Sequence, residues 1–473
     1  MTSISAKGLA VLRSALMHCA AVALIAVPVG AAACSPASVR DLYGYEAQTQ
    51  IILDVEAAMA RAQAQHGVIP AEAAQDITVH ARAELVAEAD FDAEYGTVNH
   101  RMVALLNVWR RSLSPMGDQY VHYGATTVDI YGTATILQVD RSLGALDDCL
   151  AESLAVMAQL AAEHAQTPMI GRTLGQHAQP ITFGKKVSAW VGEYARHRER
   201  LANLRSRLRR SAILKGAVGN YSGLGDAAIA VEQSFAAELG LDAPYAADWN
   251  GTRDVLAEYG LVLGLIARSH QRIGQELFLL QGTDIGEVRE ALPAGVVGSS
   301  SMPHKRNPIA PESLVHAGRT IPRLAEVLGD DVVNLFERDN TSRMTPVIEE
   351  ISVDSVAAAR TLNRLLGGLE VDRARMLENI SKTRGFAMSQ RIAFALADHM
   401  PREEAEALVK QVIAGAYAND TDFAAALAAE PRVLQHLDPP TIAILLNPHS
   451  IELPAIDQIG RVIAEADAKE YAP

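Results

Sequence analysis

From Thr252 to Gln281, Leu256, Leu263, Ile266, Ile273 and Leu277 recur at helical spacing over a stretch long enough to run the length of a domain. A helix so long and so apolar has to sit in the core of a bundle. One further stretch shares the pattern. Ile52, Val55, Met59 and Ala62 lie on one face of a helix over Thr49–His66, which Gly67 ends before Val68-Ile69-Pro70 leads away. Paired threonines, Thr126 and Thr127, open a helix running through Leu137 and beyond. Aromatics make up only 5% of the residues while Ala, Leu, Val and Glu dominate, which favours helix over strand. The expectation is an all-α chain, and its 473 residues suffice for about three domains.

The formal charge of −14, with an isoelectric point near 5.5, argues against nucleic acid or anionic membrane as a general partner. One basic run, seven arginines between Arg196 and Arg210, reads as a solvated or inter-helix face carrying ion pairs with nearby acids. Cys19, Cys34 and Cys149 show no spacing that suggests a metal site or a disulfide framework, and no metal or cofactor is expected. The first residues differ from the rest. Lys7 and Arg13 precede a mostly apolar run from Ala15 to Val29, followed by Ala31-Ala32-Ala33-Cys34-Ser35. That is the shape of a secretory signal, with Cys34 where a lipoprotein cysteine would stand. His18, Cys19 and Pro28 interrupt the run, which is short for a membrane span. The expectation is a signal-like or unstructured extension over residues 1–37 on a cytoplasmic protein, with export or lipid anchoring as the alternative.

The chemistry is concentrated in Gly298-Ser299-Ser300-Ser301-Met302-Pro303-His304-Lys305-Arg306-Asn307-Pro308. Gly282, Gly286 and Gly295 precede it, and a glycine-rich loop can open and close as a lid must. It leads into a helix expected to have Asn307 as N-cap and Pro308 at its first position, so free N–H groups, Lys305 and Arg306 gather where an anion would bind. Such a set suits a reaction in which negative charge grows on a carboxylate. Gly-Ser-Ser-x-Met-Pro-x-Lys-x-Asn resembles the signature loop of the fumarase/aspartase superfamily. Within it, Met-Pro-His-Lys-Arg-Asn-Pro is similar to the branch of adenylosuccinate lyases and 3-carboxy-cis,cis-muconate cycloisomerases. The resemblance implies that Ser299 is the base that takes a proton beside a carboxylate, with Lys305 and Asn307 holding substrate.

Other segments extend the likeness over residues 38 to 470. His122-Tyr123-Gly124-Ala125-Thr126-Thr127-Val128-Asp129 resembles the family's carboxylate loop, where one hydroxyl caps a helix and the other donates to the anion at its positive end. This implies substrate contacts from His122, Thr126 and Thr127. His100, in Asn99-His100-Arg101, matches an active-site histidine of the family, although its two neighbours do not match. Gly171-Arg172-Thr173-Leu174-Gly175-Gln176-His177 resembles a motif that in the lyases reads Gly-Arg-Thr-His-Gly, whose histidine is tied to protonating the leaving group. Leu174 stands in its place, as in muconate-type cycloisomerases, leaving Gln176 for substrate and His177 as a substitute acid or a packing residue. Trp249 and Arg253-Asp254 are similar to the cycloisomerases, and Phe336-Glu337-Arg338-Asp339 matches the branch generally.

The resemblance implies three helical domains with a long central bundle, over residues 38–136, 137–375 and 376–473, and a homotetramer whose sites draw on different subunits. The nucleotide half of an adenylosuccinate lyase site is not matched: Leu42-Tyr43, Ser313, Arg343 and Val347 stand where phosphate and nucleotide ligands are usual, and only Arg338 persists. The expected function is therefore β-elimination from a small substituted succinate, a non-nucleotide dicarboxylate, releasing fumarate from a C–N bond. Cycloisomerisation of a carboxymuconate is the nearest alternative; a non-catalytic helical scaffold is the third.

Overall fold

The computed structural model describes residues 34–247, 252–292, 295–330, 332, 335–338, 344–450 and 453–468. Residues 1–33 with Cys19, and Trp249, Asp339 and Arg343, lie outside them. The first long helix, α1 (Tyr45–Gln65), ends one residue before His66, where Gly67 takes φ 70°. After α2 (Arg101–Arg110) comes α3 (Thr127–Glu163), whose 37 residues make it about 55 Å long. A short hairpin, β1 (Pro168–Thr173) and β2 (Gln176–Thr182), leads into α4 (Phe183–Leu208). Next come α5 (Ala228–Glu238), the apolar α6 (Asp254–Leu280), α7 (Ile309–Asp330) and α8 (Met344–Gly367).

Charged pairs between helices give the direction of each. Arg198 bonds Asp147 at 2.9 Å and Arg205 bonds Asp140 at 3.0 Å, while Gly184 lies against Ala161, so α4 runs antiparallel to α3. Lys186–Glu276 at 2.5 Å, Arg272–Glu193 and Arg207–Glu258 likewise set α6 antiparallel to α4. Arg198, Arg205, Arg207 and Arg209 of the arginine run thus carry ion pairs between helices. Gly318 fits against Ala267 and Gln271, and Gly260 against Ala325 and Leu328, which makes α7 antiparallel to α6. A Cβ on Gly318 would stand 2.2 Å from that of Gln271, so this crossing requires glycine. The buried Asn363 bonds both Ser153 and the Cys149 carbonyl, and the Tyr43 hydroxyl lies 3.1 Å from Ser142 and 3.0 Å from Ser352; α8 therefore runs parallel to α3. Tyr43 is thereby a core residue.

The bundle has two ends. At one lie Thr126 and Thr127 and the starts of α3, α6 and α8; at the other lie the hairpin and the loop joining α6 to α7. One continuous apolar core runs between them, and a second lies in the C-terminal segment around Ile392, Leu408, Phe423 and Leu427. The final helix, α9 (Leu453–Asp467), returns to the bundle with Val462 against Gly192 of α4.

The cysteines correct the reading of their spacing. Cys34 and Cys149 form a disulfide, with Cα atoms 5.0 Å apart and both side chains buried. It fastens the beginning of the described chain to the middle of α3. A separation of 115 residues carries no local signature, so only the fold could bring the two together.

Candidate active site

At the threonine end, Thr126 is the N-cap of α3, and its N–H donates to the Asp129 carboxylate at 2.9 Å. Asp129 is fully buried and also accepts from the N–H groups of Lys215 and Gly216, at 3.0 and 3.1 Å. Burial pushes its pKa up, and those N–H groups only partly offset the rise. One carboxylate thus joins the 122–127 loop to the chain that follows α4. Gly124 and Gly223 then meet backbone to backbone, at a distance where neither can carry a Cβ. Below them Lys215 is a buried ammonium paired with Glu232 at 2.8 Å and with the Tyr221 hydroxyl at 2.5 Å.

His122 begins this loop with φ 61°, a backbone conformation unusual for any residue but glycine. Its Nδ1 lies 2.6 Å from Glu56 Oε1 of α1, and Glu56 is 1% exposed. Burial draws the imidazole pKa down, but the bond to Glu56 and the charges of Glu56 and Asp129 outweigh it, so the net shift is upward from 6.5. Gln63, two turns on in α1, donates to the Tyr123 carbonyl at 2.7 Å and fixes the next residue. Glu56 went unassigned in the sequence, although the signal was there: it sits on the apolar face with Ile52 and Met59, where an acid must be paired.

His100 lies near this end as well. It is the N-cap of α2, its Nδ1 accepting from Val103 N–H at 3.3 Å, so its ring serves the helix start. The charge of the next residue, Arg101, acts on Tyr131 in the first turns of α3, partly offsetting the rise that burial gives the Tyr131 pKa. Arg338 follows α7; it is half-buried, with Nη1 buried and without a hydrogen-bond partner.

At the opposite end, Leu174 and Gly175 form the two-residue turn of the hairpin, with φ 52° and 77°. Leu174 is fully exposed, and Gln176 and His177 beside it are exposed too. What burial His177 has lowers its pKa, and the Arg172 charge lowers it further, leaving a neutral ring at neutral pH. The hairpin is bolted in place by Arg172, which bonds the buried Glu287 at 2.7 and 3.0 Å; Asn379 donates to the same carboxylate at 2.8 Å. A cavity of about 710 Å³ opens behind the strands, between Gln179, Lys185, Arg272 and Gln390. It lies behind the hairpin and does not include its tip.

Glu287 also begins the segment leading to the serine loop. Ser299 is half-buried, its Oγ accepting from Met302 N–H at 3.2 Å, while Lys305 stands exposed. Gly298 is pinched against the Lys305 carbonyl, which a Cβ would approach to 2.8 Å. The helix beyond begins at Ile309, slightly later than the Asn307 cap and Pro308 start expected of it. Its Ala310 N–H donates to the Glu290 carboxylate at 3.1 Å. An internal anion therefore caps a helix start expected to be open to substrate.

Among the described residues, no hydrogen bond or ion pair joins Ser299, Lys305 or His177 to Thr126, Thr127 or His122. They occupy opposite ends of a helix about 55 Å long. One chain thus carries His122, Thr126 and Thr127 at one end of the bundle and the Ser299–Lys305 loop at the other.

The family model described as "Lyase" matches residues 36–322, and that described as "Adenylosuccinate lyase C-terminus" matches residues 385–462. The chain is 35% identical to the 3-carboxy-cis,cis-muconate cycloisomerase of Pseudomonas aeruginosa over 92% of its own length and 96% of that protein's. It is 31% identical to the N-acetyl-S-(2-succino)cysteine lyase of Enterococcus italicus, with the same coverage. Among solved structures, the 3-carboxy-cis,cis-muconate lactonizing enzyme of Pseudomonas putida superimposes with a TM-score of 0.83 at 31% identity, over 91% of this chain and 97% of that one. Matched along nearly its whole length in both sequence and fold, the chain belongs to the fumarase/aspartase superfamily of lyases, in the branch that holds adenylosuccinate lyases and 3-carboxy-cis,cis-muconate cycloisomerases.

Proposed function

We propose that this enzyme performs β-elimination on a small substituted succinate that is not a nucleotide, breaking a C–N bond to release fumarate. Ser299 takes the proton beside the carboxylate that stays on the product. The charge that develops there is met by Lys305 and Asn307, and Thr126 and Thr127 hold a substrate carboxylate at the positive end of α3. A serine hydroxyl is a weak acid, so its activation depends on Lys305 and on exclusion of water as the loop closes. The observation that carries this reading is that one chain holds both a complete serine–lysine–asparagine loop and a threonine N-cap at the start of α3. The curated N-acetyl-S-(2-succino)cysteine lyase, by its name, also acts on a substituted succinate. Cycloisomerisation is the second reading, favoured by Leu174 and by the 35% identical cycloisomerase.

The separation of the two ends implies an oligomer, since partners must supply what lies at the far end; a homotetramer would do so. A direct test follows turnover by ultraviolet absorbance on N-succinyl amines, S-succinyl thiols and 3-carboxymuconate side by side. Turnover of a succinyl compound with fumarate as product supports elimination, whereas turnover of carboxymuconate alone contradicts it. Ser299→Ala should lose most turnover while keeping its fold and substrate affinity; activity within a few-fold of wild type would rule out Ser299 as the base.

As to compartment, no described helix is long and apolar enough to cross a membrane. The Cys34–Cys149 disulfide supports the export alternative over the cytoplasm, because such bonds persist where thiols are not kept reduced. A cysteine held in a disulfide carries no lipid. Mass spectrometry of the native N-terminus in fractionated cells tests this: a mature chain beginning near Cys34 outside the cytoplasm is expected, and a reduced full-length cytoplasmic chain would refute it.

A further inference from the structure

The elimination proposed above needs an acid if the departing atom is basic, and the hairpin offers Leu174 where a histidine would serve. His177 beside it is uncharged at neutral pH, and His100 has given its Nδ1 lone pair to a helix start. His122 differs from both. Its Nδ1 is bound to a buried carboxylate at 2.6 Å, its ring is 16% exposed, and no described group bonds its Nε2. A carboxylate on one ring nitrogen with the other left open is the arrangement that keeps an imidazole oriented, with a proton to give. The loop around it is stiff at every point that matters. The left-handed backbone at His122, the Gln63 bond to Tyr123, the Gly124–Gly223 contact and the Asp129 link to Lys215 and Gly216 all fix it beside Thr126 and Thr127.

We propose that His122, oriented by Glu56, donates the proton to the departing atom of the substrate, in the role the hairpin leaves vacant at Leu174. This rests on the elimination reading. As the bond from carbon to the departing atom breaks, its electron pair stays on that atom, which takes the Nε2 proton of the His122 imidazolium. Ser299 of a neighbouring subunit holds the proton removed from the adjacent carbon. When both products leave, that one proton returns from serine to histidine through water, and the enzyme is restored without oxidant or reductant. Glu56 is the positioning residue of the pair. The charged groups facing His122 are Glu56 from α1, Asp129 from α3 and Arg110 from α2; the two acids favour the imidazolium and the arginine opposes it.

The test compares pH–rate profiles of the full-length oligomer for wild type, Glu56→Gln, Glu56→Asp and His122→Gln, each checked for native mass and circular dichroism. Wild type should lose activity on the basic side as His122 deprotonates. Glu56→Gln should move that limb down by about one pH unit or more, and Glu56→Asp, which keeps the charge, should hold it near wild type. His122→Gln should abolish the limb and slow turnover by about 10²–10⁴-fold on a succinyl amine, with most of the loss recovered on a succinyl compound whose leaving group is weakly basic. An unmoved limb in Glu56→Gln, or equal losses on good and poor leaving groups, overturns the proposal and makes His122 a substrate-holding residue only. Should wild type turn over carboxymuconate alone, the elimination reading fails. The pair then stands only if Glu56→Gln still shifts the limb of that reaction, and falls if it does not.

Discussion

Two buried histidines between α4 and α6 behave in the opposite way to His122. His270 has neither ring nitrogen hydrogen-bonded, and burial takes its pKa down to about 3. His197, bonded to Ser269 at 2.8 Å, is brought down to about 4 by burial, which the nearby Glu193 only partly counters. Both rings are neutral in the folded state but titrate near 6.5 when unfolded, so the unfolded chain binds more protons between those values. Their stabilising contribution is fully present above about pH 6.5 and is lost as pH falls toward 4 and then 3, each histidine adding a slope of at most about 1.4 kcal/mol per pH unit. Urea denaturation at pH 7.5 and pH 5 should show this loss. His270→Leu should flatten it and be at least as stable at neutral pH, since it removes unsatisfied polar atoms. An unchanged slope in that variant would show that other groups govern acid stability.

The long helices were legible element by element: the apolar spacing of α1 and α6 is what their burial demands, the threonine pair marked the start of α3, and Arg198, Arg205, Arg207 and Arg209 of the arginine run pair with acids. What pairs across the fold was not. Glu56 and His122 are 66 residues apart, Arg172 and Glu287 115 apart, and each member alone reads as an ordinary polar residue. The Glu290 cap on α7 was hidden for the same reason, as was the disulfide. That bond ties Cys34 to the middle of α3 across a separation of 115 residues, and by the chain-entropy argument it contributes up to about 4–5 kcal/mol. Cys34→Ala, or wild type under reductant, should melt several degrees lower than the oxidised protein. Equal melting temperatures, with both thiols open to alkylation in the purified protein, would contradict the pairing.

At the scale of the whole molecule, a helix about 55 Å long keeps the threonine end and the serine loop apart within each chain. The family of these motifs was legible through the resemblance. Their separation was not, because it depends on the directions of α3, α4 and α6 in the bundle. The exposed hairpin tip supports the same view: Leu174, an apolar residue with positive φ, stands free of its own chain, as a side chain that meets another subunit would. The central claim is that one working site is built from more than one chain. The most direct test unfolds and reassembles Thr127→Val and Ser299→Ala chains together in equal amounts, each inactive alone. The mixed oligomers should regain about a quarter of wild-type turnover, since that share of sites would draw an intact threonine end and an intact serine loop from different subunits. Mixed oligomers of native mass that stay as inactive as their parents would contradict it.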